Sequence, residues 1–240
     1  MEYRDAGGVK VRAILFDLGD TLIRLHPMPD LPPLLAHVFT ARGIDSPRAL
    51  ELAESLTSQL GRDVARDSKA GVTEEPGLEA LMAPLIAARS DELAALGRVF
   101  GEADVSRFEM PPTGLARVER FKTLGYRLGV VSNTSTAPAL LDAYLRSVGL
   151  LPLFDVVLYS VSKGIRKPHP ELYRMALTEL GSTPQETTFV GDRVREDVLG
   201  PRSVGMRAIL THEFRQEDPA GSAPLAIISQ LEELEDVLRG

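Results

Sequence analysis

The sequence contains no cysteine. Disulfides, thiolate nucleophiles and sulfur-ligated metals are therefore excluded. The four histidines, His26, His37, His169 and His212, are scattered, and none has zinc-site spacing. No apolar run approaches the length of about 20 residues that a membrane-spanning helix requires. The N-terminal stretch MEYRDAGGVKVR carries charges and glycines but no apolar signal core. Positive charge is also scarce: 27 Lys and Arg stand against 34 Asp and Glu, a net charge of −7. A nucleic-acid binder needs clustered positive charge to displace counterions. The expectation is a soluble cytoplasmic protein with no nucleic-acid and no membrane partner.

What the chain does have is enough apolar matter for a core. Its 240 residues are 44% hydrophobic and 25% charged, an ordinary globular balance. That length fits one large domain, or one domain with a substantial insertion. Val9 to Phe16 reads as a short buried strand. Leu22 to Pro33, punctuated by Pro27, Pro29, Pro32 and Pro33, reads as a loop. From Leu34 to Phe108 the spacing turns helical: Leu34, Leu35, Val38 and Phe39, then Leu50, Ala53, Leu56 and Leu60, then Leu78, Leu81, Met82, Leu85 and Ile86. Met110 to Gly114 breaks the pattern.

Strands and helices then alternate. Strands are expected at Arg127–Val131, Val156–Tyr159, Thr187–Val190, Arg207–Leu210 and Leu225–Ile228. Helices are expected at Leu115–Leu124, Ala137–Val148, Pro170–Leu180 and Glu196–Val204, the last interrupted by Gly200-Pro201. A final helix, LEELEDVL, is expected to be capped by Ser229. The polar segment Glu217 to Ser222 reads as a plain connection. This alternation predicts a parallel α/β sheet, with the helical block as an insertion after the first strand.

Ligands of open parallel sheets bind outside the carboxyl ends of the strands. Three apolar strands end in polar residues there: ILFD at Asp17, LGVVSN at Ser132 and Asn133, and TFVGD at Asp192. GIRKPHPELY adds Lys167 just before a helix start. Singly, each residue also fits a turn, a cap or a solvated charge. Jointly they would converge on one crevice if the strands are neighbours.

The joint pattern resembles the haloacid-dehalogenase-like hydrolase superfamily. The strand followed by DxDxT is similar to Asp17-Leu18-Gly19-Asp20-Thr21. The strand ending in Ser or Thr matches Val130-Val131-Ser132, and the lysine followed by Pro-x-Pro matches Lys167-Pro168-His169-Pro170. GDxxxxD matches Gly191-Asp192 to Asp197. The likeness spans roughly Val11 to Leu210.

It implies a doubly wound, Rossmann-like parallel sheet core over 1–24 and 111–240, with an inserted all-helical cap over 25–110. It also implies a phosphatase of a small phosphorylated metabolite. Asp17 would be the nucleophile, forming an aspartyl-phosphate. Mg2+ would be held by Asp17, the Gly19 carbonyl and Asp192, with Asp197 behind them holding water or orienting Lys167. Lys167, Ser132 and the Asn133 N–H would bind the phosphoryl group. Cap-region cations Arg42, Arg62, Arg66 and Lys69 could meet a substrate, though solvated helix faces fit them better.

One departure matters. In family phosphatases the residue two after the nucleophile is usually a second aspartate, which acts as general acid and base. Here it is Gly19, and Asp20 lies one position too late, where a loop acid or cap is the better reading. Dehalogenation and Lys69-dependent phosphonate cleavage stay open, as does non-catalytic phosphate binding. So does the choice between monomer and homodimer.

Overall fold

The computed structural model describes residues 11–70, 73–75, 80, 82–83 and 90–239. At its centre lie β1 (Ala13–Phe16), β4 (Arg127–Ser132), β5 (Val156–Tyr159), β6 (Thr187–Gly191), β7 (Arg207–Thr211) and β8 (Ala226–Ile228). They form one sheet in the order β5-β4-β1-β6-β7-β8, and every pairing is parallel. β1 lies in the interior, with Phe16 aligned to Val130 on one side and to Val190 on the other.

A central parallel strand is covered on both faces, so it needs apolar residues at every position. β1 is AILF and buried throughout. Ile14 and Phe16 point to one face, into a core shared with Val118, Phe121, Leu141, Leu145, Leu234 and Leu238. Ala13 and Leu15 point to the other, against Leu172, Tyr173, Leu177, Leu180 and Phe189. This is the expected doubly wound α/β sheet.

Between β1 and β4 the chain leaves the sheet. β2 (Arg24–Leu25) pairs antiparallel with β3 (Phe108–Glu109) as a short ribbon. Beyond it come α1 (Leu31–Thr40), α2 (Ser46–Ala70) and α3 (Ser90–Ser106). These helices have a core of their own, including Leu31, Leu35, Phe39, Ala53, Leu56, Met82 and Leu96. The expected apolar positions Leu78, Leu81, Leu85 and Ile86 lie outside the described residues. Among the described residues no helix is long and apolar enough to cross a membrane.

After the ribbon come α4 (Gly114–Thr123), α5 (Pro138–Ser147), α6 (Ser160–Lys163), α7 (Pro170–Leu180), α8 (Gly200–Ser203) and α9 (Leu234–Arg239). α7 stops at Gly181, whose φ of 59° lies in the left-handed region that glycine adopts freely.

Four local expectations change. The first strand begins at Ala13, because the Arg12 and Ala13 N–H groups both donate to the Glu186 carbonyl and the regular ladder starts only afterwards. Pro32 and Pro33 open α1 rather than extending a loop, since the first helical turn needs no N–H from them. Glu196–Val204 is not an α-helix broken at Gly200: Val194–Leu199 is a π-turn, and α8 follows with Pro201 in its first turn. The Tyr173 hydroxyl donates to the Glu196 carbonyl within this segment. The terminal cap is Gln230, not Ser229, and it forms a reciprocal capping box with Glu233.

Leu35 is completely buried in the insertion's core. Leu35→Ala should lower unfolding free energy by about 2–5 kcal/mol, the usual cost of such a cavity. Urea denaturation reads this directly. Hydrogen exchange should show the loosening in α1, α2 and α3 rather than in the sheet.

Candidate active site

The carboxyl ends of β1, β4 and β6 open on one cavity of about 240 Å³. Asp17, Leu18, Gly19 and Asp20 line it from β1, Ser132 to Thr134 from β4, and Arg193 and Glu196 from the turn after β6. Arg166 and Lys167 enter from the loop before α7. Asp104, Arg107 and Phe108 enter from the end of α3 and from β3.

Lys167 stands at the centre. Its side chain is 2% exposed, and its Nζ donates to Asp17 Oδ1 at 2.6 Å and to Asp197 Oδ1 at 2.7 Å. It also lies 5.2 Å from the centre of the Phe189 ring. Burial alone would lower its pKa, but Asp17 and Asp197 overcome that and raise it, so Lys167 stays charged. Its backbone is clamped as well: the Lys167 N–H donates to Asn133 Oδ1 at 2.7 Å, and Asn133 Nδ2 donates to the Lys167 carbonyl at 3.0 Å. Asn133 therefore joins the loop after β4 to the loop before α7.

Asp197 is fully buried. The π-turn brings it back to β6, where its Oδ2 accepts the Arg193 N–H at 3.0 Å. A Cβ on Gly191 would overlap this carboxylate, so the close approach requires glycine there. Burial pushes the Asp197 carboxyl up, against the pull of Lys167. Both its oxygens accept donated hydrogen bonds, however, and the ionised form is the one this geometry holds.

Asp192 is different. It is 1% exposed, neither carboxylate oxygen has a hydrogen-bond partner among the described residues, and the Arg215 Nε is 3.7 Å away. Burial, followed by the charges of Asp17 and Asp197, pushes its carboxyl up to about 8. Buried polar atoms ordinarily find partners. Oxygens of Asp17, Asp192 and Asp197 all lie within 4.8 Å of one another. A buried cluster of oxygen donors with an orphaned carboxylate fits a hard divalent cation.

The glycine of the first motif is placed just as informatively. Gly19 does not have a positive φ, so its backbone is open to other residues. A Cβ there would meet Leu25 Cδ1 at 2.6 Å, the mobile end of a side chain. Asp20 has a φ of 55°, its N–H donates to the Ile23 carbonyl at 2.7 Å, and its Oδ1 accepts the Leu25 N–H at 3.0 Å. It closes the turn between β1 and β2.

The structure thus brings together Asp17, Gly19, Ser132, Asn133, Lys167, Asp192 and Asp197. It does not bring in Arg42, which pairs with Asp91 at 2.9 Å. The side chains of Arg62, Arg66 and Lys69 lie outside the described residues. Arg107, Arg166, Arg193 and Asp104 were not anticipated. Arg166 and Arg193 adjoin Lys167 and Asp192 in sequence, a signal that could have found them. Asp104 and Arg107 end a long helix and carry no such signal; they pair with each other at 2.8 Å, and Asp104 accepts the Thr136 hydroxyl at 2.7 Å.

A family model described as "Hydrolase: haloacid dehalogenase-like hydrolase" matches residues 11–205. The phosphoserine phosphatase of Thermus thermophilus is 36% identical over 122 residues, covering 50% of this chain and 48% of that protein. The glyceraldehyde 3-phosphate phosphatase of Methanothermobacter thermautotrophicus is 26% identical over 235 residues, covering 95% and 100%. The chain thus spans about half of the first relative and the whole of the second. Among solved structures, a phosphatase from Thermococcus onnurineus superposes with a TM-score of 0.67 at 27% identity, covering 96% of this chain and 99% of that one. A 2-haloacid dehalogenase from Pseudomonas syringae gives 0.69 at 23% identity, covering 95% and 98%, a likeness of fold alone.

The raised Asp192 carboxyl predicts a pH dependence of the metal-free protein. An unfolded aspartate has a pKa of about 3.9. The native state therefore retains a proton that the unfolded state has lost. That contribution to stability is complete below about pH 4 and is lost as pH rises through about 8. In a chelator, the melting temperature of the wild type should fall between pH 5 and 9 more steeply than that of Asp192→Asn. Parallel curves for the two proteins would contradict the assignment.

Proposed function

The chain belongs to the haloacid dehalogenase-like hydrolase family and is a hydrolase, and from that premise we propose a magnesium-dependent phosphatase of a small phosphorylated metabolite. The observation that carries the proposal is the buried cluster of Asp17, Asp192 and Asp197 around Lys167. Lys167 pairs with Asp17 and Asp197 but not with Asp192, which the Arg215 Nε approaches to 3.7 Å without a hydrogen bond to either oxygen among the described residues. A divalent cation on the orphaned Asp192 supplies the missing positive charge.

Asp17 is the nucleophile in this reading. One of its carboxylate oxygens forms a bond to phosphorus while the bond from phosphorus to the leaving oxygen breaks, and that oxygen departs with the electron pair. Water then attacks the aspartyl-phosphate, gives its proton to solvent, and inorganic phosphate leaves as the Asp17 carboxylate is restored. Lys167 neutralises Asp17 and the phosphoryl oxygens. Ser132 and the Asn133 N–H hold those oxygens in line, so that charge developing in the transition state meets fixed donors. Asp17, the Gly19 carbonyl and Asp192 would hold Mg2+, which when bound screens the nucleophile from the anionic substrate. Asp197 orients Lys167.

Residues 25–110 are, on this proposal, a cap. Its connections to the core are the β2–β3 ribbon and the flanking proline segments, a narrow pair of crossings suited to a hinge. Closure would exclude water from the cavity. Names of relatives support phosphate esters as the substrate class, since those proteins are phosphatases of phosphoserine and glyceraldehyde 3-phosphate.

Phosphate esters, phosphonates and 2-haloacids tested with and without magnesium separate the readings. Magnesium-dependent phosphate release is expected. Halide release without metal would instead identify a dehalogenase, and phosphate binding without turnover a binding protein. In a folded Asp17→Asn variant, turnover should fall by about 10⁴-fold or more, as for loss of a covalent nucleophile.

Gly19 shapes the rate law. General acid–base help is typically worth about 10²–10⁴-fold, and Gly19 has no side chain to give it. Rate should depend steeply on the pKa of the leaving group, with aryl and acyl phosphates fast and alkyl phosphates slow. Gly19→Asp should raise alkyl phosphate turnover and flatten that dependence, most clearly with Leu25→Ala alongside to make room for the new side chain. A flat dependence in the wild type, lost on Asp20→Asn, would make Asp20 the acid instead.

A further inference from the structure

The mechanism leaves one buried carboxylate unused. Glu75 is 4% exposed and belongs to the insertion, yet its side-chain partners among the described residues all belong to the α/β core. Oε1 accepts the Ser135 hydroxyl at 3.0 Å, and Oε2 accepts the Ser160 hydroxyl at 2.9 Å. Arg166 Nε lies 3.4 Å from Oε2. The backbone is engaged too. The Glu75 N–H donates to the Gly164 carbonyl at 2.9 Å, and the Arg166 N–H donates to the Thr73 carbonyl at 2.7 Å. Residues 73–75 thus lie beside 164–166 like a scrap of antiparallel sheet.

These partners stand immediately next to the phosphoryl-binding groups. Ser160 Oγ, while donating to Glu75, accepts the Thr134 N–H at 2.8 Å. Thr134 and Ser135 follow Asn133, and Arg166 precedes Lys167. Asn133 and Lys167 are already clamped to each other by two hydrogen bonds. A buried carboxylate is costly unless donors surround it. Here the donors come from three separate segments of the core, so the carboxylate is satisfied only when all three are in register and the insertion is docked.

We propose that Glu75 is a positioning residue: through Ser135, Ser160 and Arg166 it fixes the Asn133–Thr134 loop and the Lys167 loop, so that docking of the insertion completes the phosphoryl-binding site. Its effect on substrate rests on the phosphatase reading, whereas its effect on the loops rests on hydrogen bonds alone. Glu75 does not line the cavity and touches no reacting atom.

The test uses the full chain with Glu75→Ala and Glu75→Gln. Hydrogen exchange at the amides of Thr134, Arg166 and Lys167 should quicken about tenfold or more in Glu75→Ala, in line with the loss of charged hydrogen bonds. Glu75→Gln keeps an acceptor oxygen for one serine and should fall between. With p-nitrophenyl phosphate and magnesium, KM and the inhibition constant of inorganic phosphate should rise about tenfold, with kcat changing less. A merely destabilised protein would lose active fraction, and hence kcat, without a change in KM. If Glu75→Ala does not fold, Glu75→Gln carries the same readouts. Wild-type exchange at the three amides overturns the proposal, and so does faster exchange with unchanged KM and inhibition constant. If the wild type hydrolyses no phosphate ester, the phosphatase reading falls, while the exchange rates still decide whether Glu75 positions the loops.

Discussion

The site is built around a charge imbalance held out of water. Lys167 is enclosed, and it meets Asp17 and Asp197 at hydrogen-bond distance. Two of the three buried carboxylates are thereby satisfied; Asp192 is not. Removing a charge from water costs far more than a surface ion pair returns, so such groups persist only where partners are fixed in place. Here the partners are fixed by the sheet. Asp17 and Asp192 end neighbouring strands, β1 and β6, whose register aligns Phe16 with Val190. Asp197 reaches them because the turn after β6 is wider than an α-helix, and because Gly191 leaves room for its carboxylate. The apolar strand interiors supply the rigidity, and the polar ends bring the charged groups together.

Much of this was legible in the residues. Alternating strands and helices gave the parallel sheet, and AILF, RLGVVS and TTFVG gave the strands that carry the site, because a strand buried on both faces must be apolar throughout. Four polar strand ends and loops in one order pointed to a shared crevice; Asp17, Ser132, Asn133 and Lys167 line it, and Asp192 and Asp197 lie buried beside Asp17. What stayed hidden depended on tertiary contacts. Local spacing over Glu196–Val204 is helical, but Val194–Leu199 is π-helical, and its Glu196 carbonyl accepts the Tyr173 hydroxyl from another helix. Nothing local marks Glu75, whose surroundings come from segments 60 to 91 residues away. Proline was misread at Pro32 and Pro33 because its ban on helix interiors does not extend to the first turn.

The backbone around the glycine of the first motif is held independently of any side chain there. The chain from Asp17 to Leu25 is held by backbone bonds: the Asp17 N–H to the Val190 carbonyl, the Ile23 N–H to the Leu18 carbonyl, and the Asp20 N–H to the Ile23 carbonyl. None of them depends on the side chain at position 19. Leu25 fills the space that a larger residue there would occupy, at 2.6 Å from a hypothetical Cβ. The turn is therefore compatible with a glycine at position 19, and Asp20 Oδ1 helps to close it by accepting the Leu25 N–H.

The charged groups that the insertion brings to the site are paired. Asp104 and Arg107 pair with each other, and Glu75 pairs with Arg166 of the core. Phe108 and Leu25, on the paired strands of the ribbon, contribute apolar wall. Closure by such a surface would strengthen every electrostatic interaction inside by excluding water. It would leave the field to the core's charged groups, the three aspartates with Lys167, Arg166, Arg193 and Glu196, and to whatever cation the aspartates hold. Discrimination among phosphate esters would then come from the shape and apolarity of the wall near Leu25 and Phe108 and from the neutral hydrogen-bonding rim. The phosphoryl group itself would be met by the same strand ends in every case. On the proposed reading the division follows from the architecture: the phosphoryl-binding groups sit at strand ends and in core loops, and the insertion supplies Asp104 and, with its ribbon, the wall at Leu25 and Phe108.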